Sequence, residues 1–150
     1  MPDKPQENDK KAKIGLVEIM LIMMLVGLVF VFIPPYFQMR ADEAQEVIDR
    51  ERFDLAMQTV RQIIEKAEEY KKTDEFGDYP ILIEVLNVTA PDTTFFTYML
   101  EAEDLSIRAI SKTSFGKEGI KVIYSMPNKT YEIDDPAPKI KPVIKDSWLP

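Results

Sequence analysis

Hydrophobic positions along this chain change their spacing twice, and each spacing predicts a different element. From Ile14 to Gln38 (IGLVEIMLIMMLVGLVFVFIPPYFQ) the chain is apolar nearly throughout, and Glu18 is the only residue inside it that is charged at neutral pH. Between Ile19 and Ile33 the run is unbroken. About 20 mostly apolar residues, each rising 1.5 Å, cross the hydrocarbon core of a bilayer, so this stretch predicts a transmembrane helix. A signal peptide has a core of about 7–15 apolar residues and then a small-residue cleavage site, which is missing here. A retained anchor is therefore expected. Pro34 and Pro35 each remove a backbone N–H and crowd the carbonyl four residues back, which predicts a kink at the outer membrane face.

From Met39 to about Tyr70 the apolar positions return every three or four residues. Ala44, Ile48, Leu55, Thr59, Ile63, Ala67 and Tyr70 form one stripe, widened by Val47, Ala56, Val60 and Ile64, with charged residues between them. That period predicts an amphipathic helix whose stripe packs under a sheet and in part on other subunits. Gly77-Asp78 and Pro80 supply the stop, because proline biases Tyr79 away from the helical region. Ile81–Leu86 reads as a helical turn or a short strand, and 87–94 as loop. From Phe95 onward the spacing falls to two: FFTYMLEA, LSIRAISK, IKVIYSM and a short TYEI. Phe95, Phe96, Tyr98, Leu100, Leu105, Ile107, Ile110, Ile120, Val122 and Tyr124 are expected to line a face buried on the helix. The linkers are short, which favours an antiparallel meander over βαβ units. The fold class expected is α+β.

The last stretch, 135–150, holds Pro136, Pro138, Pro142 and Pro150, which exclude a helix or a central strand. Ile140, Val143, Ile144, Trp148 and Leu149 are too apolar for a solvated tail. Either the segment drapes over the domain, or Trp148 is an exposed anchor for another subunit.

Charge narrows the function. The net charge is −7, which argues against nucleic-acid binding, since phosphate neutralisation needs clustered Lys and Arg. There is no His and no Cys, so disulfides, thiolate metal sites and the usual nucleophile–base pairs are absent. No phosphate loop or nucleophile elbow occurs. Glu68-Glu69 and Asp134-Asp135 are adjacent pairs, read as solvated, and no calcium-loop spacing surrounds them. No enzyme activity, cofactor or metal is expected. Lys4, Lys10, Lys11 and Lys13 precede the apolar run, and the positive-inside rule then puts 1–13 in the cytoplasm and everything after Gln38 outside.

Glu18 sharpens the reading, because a carboxylate at the centre of a membrane helix costs about 2.5–3.5 kcal/mol and usually has a partner. Glu18 near the start of the run, Gly27, Pro35 and the Phe37-Gln38 pair fall in one ungapped register. In that register the segment resembles the N-terminal helix of type IV pilins and type II secretion pseudopilins, whose glutamate is the fifth mature residue. Ile14 would then be the first. The Gly-x-Tyr-Pro of Gly77–Pro80 after a long helix is similar to the same family. Prepilin peptidase cuts after a glycine, whereas Lys13 precedes Ile14 and the glycine is Gly15; cleavage after Gly15 would start the chain at Leu16.

The resemblance implies a pilin-like α+β architecture: a 1–13 cytoplasmic leader, a 14–38 transmembrane and filament-core helix, a 39–134 extracytoplasmic domain and a Pro-rich 135–150 tail. It also implies a structural subunit of a pilus or secretion pseudopilus, with Glu18, Gly27 and Pro35 at intersubunit contacts and Lys13, Ile14, Gly15 and Leu16 as the processing region. In the family the glutamate pairs with a neighbour's freed N-terminal amine, and the stretch matching Gly27–Pro35 can lose helicity in filaments. Partners implied are copies of itself or related pilins, the membrane, prepilin peptidase and assembly-platform proteins. The alternative is a signal-anchored extracytoplasmic scaffold or sensor that never assembles, in which Glu18 reaches the headgroups beside Lys13.

Overall fold

The computed structural model describes residues 15–89 and 91–150. The chain divides into two units, Met1–Glu43 and Ala44–Pro150. Helix α1, Leu16–Thr73, is 58 residues long and contributes to both. In the first unit it is helical backbone without a break, and Pro34 and Pro35 lie inside it. Each proline removes one ladder donor, but neither ends the helix. One helix near the N-terminus is thus long and apolar enough to cross a membrane. None of its large apolar side chains from Leu16 to Met39 is covered.

In the second unit α1 buries Phe53, Ala56, Met57, Val60, Ile63 and Ala67. These repeat at three and four residues, one face of a 3.6-residue helix. The expected stripe is therefore corrected in its first half. Ala44, Val47, Ile48 and Leu55 are exposed, and Phe53 and Met57 take the core instead. The helix ends as its last turn dictates. Lys71 and Lys72 sit where the helix dipole is negative. The Thr73 hydroxyl donates to the Tyr70 carbonyl at 2.9 Å. Asp74 Oδ2 accepts the N–H groups of Phe76 and Asp78, each at 3.1 Å, and Gly77 adopts the left-handed φ of +68° that closes the turn. A 3-10 turn follows at Ile83–Leu86 and sends Leu86 into the core.

The sheet is a four-stranded antiparallel meander in the order β1 (Phe96–Glu101), β2 (Ser106–Ser111), β3 (Lys121–Ser125), β4 (Thr130–Asp134). Its register pairs Phe96 with Ser111, Leu100 with Ile107, Ile107 with Tyr124, Ala109 with Val122, and Tyr124 with Tyr131. All of these lie on one face, because side chains alternate along a strand. Ile110 pairs with Thr97 and Lys121, so it falls on the opposite face once Ile107 points inward. Leu105 is drawn out of the expected core by the β1–β2 turn, where it takes a φ of +51° and stays exposed.

The core joins the helix, the sheet face and the C-terminal segment. The Phe53 ring lies 6.3 Å from Phe96 and 5.9 Å from Trp148, and Phe96 lies 4.9 Å from Phe115. Trp148 is only 8% exposed, and Ile144 is buried beside it. The segment after β4 drapes over the domain, and Trp148 is a core residue, not an exposed anchor.

Candidate functional site

Glu18 occupies the third position of α1, with Gly15 as the residue before the helix. The Ile19 N–H donates to the Gly15 carbonyl at 3.1 Å and makes the first helical bond. The Gly15 N–H donates to Glu18 Oε2 at 3.0 Å. A glutamate three residues into a helix reaching back to the preceding N–H is one half of a capping box. It satisfies a donor that helix geometry leaves unpaired, and it puts a negative charge at the positive end of the helix dipole. The spacing Gly-x-x-Glu ahead of an apolar run was the readable signal for this bond.

The remaining positions of the candidate site follow along the same helix. An added Cβ at Gly27 would meet nothing within 4 Å, so packing within this chain does not demand a glycine there. Pro35 and the whole Gly27–Pro35 stretch are helical. Gly15 and Leu16 mark the helix start, while Lys13 and Ile14 lie outside the described residues. Glu18, Gly27 and Pro35 are exposed, as are the apolar side chains between them. What the structure brings together here is an uncovered apolar surface with one carboxylate at its head.

The second unit holds the charged clusters. Adjacent carboxylates at Asp134-Asp135 predict a solvated pair, and the structure corrects this for Asp135. Its side chain and that of Lys117 are each 9% exposed and form an ion pair at 2.7 Å. Lys117 Nζ also donates to the carbonyls of Ala137 at 3.0 Å and Ile140 at 2.7 Å. The second carboxylate oxygen of Asp135 accepts the Ala137 N–H at 2.9 Å. Asp134 lies 3.2 Å from Lys121. Among the described residues no group of three or more carboxylates is posed to hold a metal.

Two other polar clusters are structural. Asp104 accepts from Ser106 at 2.6 Å and from Arg108 at 2.7 Å, and these bonds hold its carboxyl below the usual range. Burial pushes the Tyr98 hydroxyl up to about 12, against a smaller opposing effect of Thr59. Its O–H donates to the Asp92 carbonyl at 3.0 Å.

No family model, no curated protein and no solved structure matches this chain.

Proposed function

We propose that this chain is a structural subunit of a type IV pilus-like or secretion pseudopilus-like filament, held in the membrane by its N-terminal helix before assembly. The observation that carries the reading is the uncovered apolar surface of α1 from Leu16 to Met39, headed by Glu18. Water does not tolerate an apolar surface of that extent, so lipid covers it in the membrane and neighbouring helices cover it in a filament. Glu18 supplies the charge that sets the register between neighbours. Gly27, which its own chain does not require, lets a second helix approach closely. The role is mechanical, with copies of itself or related pilins as partners, prepilin peptidase as the processing enzyme and assembly-platform proteins as the machinery. The Ala44–Pro150 unit lies on the extracytoplasmic side.

A second reading is favoured by the bond from Gly15 N–H to Glu18. If the carboxylate serves as a helix cap, it has a use without a neighbour, and the protein is a permanently anchored extracytoplasmic scaffold or sensor. The test is the intact mass and N-terminal sequence of the protein recovered from native membranes and from sheared, pelletable material. Filament subunits carry a new N-terminus at Ile14 or Leu16 and enter the pellet. A chain found only in membranes, with 1–13 still attached, selects the anchored scaffold.

A further inference from the structure

The turn after α1 presents an aromatic ring to solvent next to a groove. Phe76 is 84% exposed, more than any other large apolar side chain described. Its backbone is held, because Asp74 Oδ2 accepts the N–H groups of Phe76 itself and of Asp78, and Gly77 fixes the bend. Beside it opens a groove of about 940 Å³ that begins at Gly77. Ile81, Leu105 and Met126 give the groove its apolar lining, and Lys71, Lys72 and Lys129 supply its cations. Glu68 and Asp78 also line it, and Glu68 pairs with Lys129 at 3.3 Å. The lysines outnumber these carboxylates by one, and Lys71 lies 4.2 Å from the Tyr79 ring, so Lys72 is the cation that faces an incoming carboxylate. In the turn that carries Phe76, Asp74 closes the bend and Asp78 lines the groove, which leaves Glu75 as the carboxylate available to a partner.

We propose that this groove receives the Phe76 turn of a second copy of the same chain. The ring enters the apolar lining between Ile81, Leu105 and Met126, while Glu75 meets Lys72 across the interface. Plug and socket adjoin on each copy, so each copy gives and receives at once, and the contact is isologous and closes at two. The turn is preorganised, so little conformational freedom is lost on docking. One ring and a few charges make a small interface, weak in free solution. Two copies anchored in one membrane are held at high effective concentration, which makes a weak contact sufficient. The contact uses only the Ala44–Pro150 unit; it rests on the anchoring by α1 in the proposed function, not on filament assembly.

The test uses the full chain in its membrane, with photoreactive benzoylphenylalanine at position 76 and a second, isotopically heavy copy in the same cells. Illumination is expected to join position 76 to heavy peptides containing Leu105 or Met126. Lys72→Glu should lower that adduct at least tenfold, and adding Glu75→Lys in the same chain should restore most of it. Adducts confined to the probe's own chain, to lipid or to a different protein overturn the proposal, as does a double variant no better than Lys72→Glu. Repeating the measurement in a Glu18→Ala background keeps it separate from any filament contact.

Discussion

Lys117 uses all three of its N–H donors on one short segment: the Asp135 carboxylate and the carbonyls of Ala137 and Ile140. With both side chains of the pair 9% exposed, each charge keeps only slight contact with water. Removing one partner of such a pair leaves a buried, uncompensated charge, which typically costs about 3–5 kcal/mol. Lys117→Met is expected to lower stability by that order, read as a fall in the urea midpoint at constant slope. Lys117→Met with Asp135→Leu should recover a large part of the loss, because no charge is then stranded. A double variant as unstable as the single one would show that the carbonyl bonds, not the charge pair, dominate. Tyr98 gives a pH dependence. Its hydroxyl titrates near 10 in the unfolded chain and is pushed up to about 12 by burial in the folded one. Between those values the unfolded chain releases the proton more readily, so the contribution is full below about pH 10 and falls as pH rises toward 12. Tyr98→Phe should flatten the alkaline limb of stability against pH while losing the bond to the Asp92 carbonyl, worth about 1 kcal/mol at neutral pH. An unchanged alkaline limb would assign that instability to other groups.

At the scale of elements, α1 and the C-terminal segment decide the core, and they were unequally legible. The helix from Met39 to Tyr70 was readable because its three- and four-residue period is sustained. Its inward face was not, because apolar residues occupy two sides: Val47, Ile48 and Leu55 on one, Phe53, Met57 and Val60 on the other. Periodicity names a helix, but the choice of face belongs to the sheet it meets, and Phe96 and Trp148 select Phe53. The strands were readable from alternation, and Ile110 was misplaced because one residue of phase moves a side chain to the other face. Prolines correctly excluded an α-helix or central strand after β4, although a short 3-10 turn forms at Asp146–Trp148; nothing local shows that Trp148 reaches across to Phe53. The same holds for Gly116, whose φ of +115° and 3.1 Å gap from an added Cβ to Pro142 become visible only once the tail is in place. The core role of the tail is testable. Trp148→Ala should destabilise the Ala44–Pro150 unit by about 3–5 kcal/mol, the usual loss for a buried aromatic. Thermal unfolding of the full chain in detergent reads this directly, and a loss below 1 kcal/mol would mean the tail is only loosely applied.

For the whole molecule the decisive residue is Glu18, since two uses compete for one carboxylate. As a cap it needs only an acceptor oxygen that reaches Gly15 N–H, and a glutamine supplies one in the same capping box. As the register-setting partner of a neighbour in the membrane it needs a full negative charge. Glu18→Gln and Glu18→Ala therefore separate the two. Both variants remove a charge that costs about 2.5–3.5 kcal/mol at the centre of a bilayer and less near its edge, so both should insert at least as well as the parent chain. If the chain assembles, both lose pelletable filament to a similar extent, because the cap that glutamine preserves does nothing for the neighbour. If the carboxylate is only a cap, glutamine behaves as the parent does. Alanine then frays the first turn, at a cost of about 0.3–1.5 kcal/mol. Filament yield together with the membrane-bound fraction, measured for the three chains side by side, distinguishes these outcomes. A glutamine variant that assembles normally would remove charge pairing from the proposed function and leave Glu18 as the residue that starts the helix.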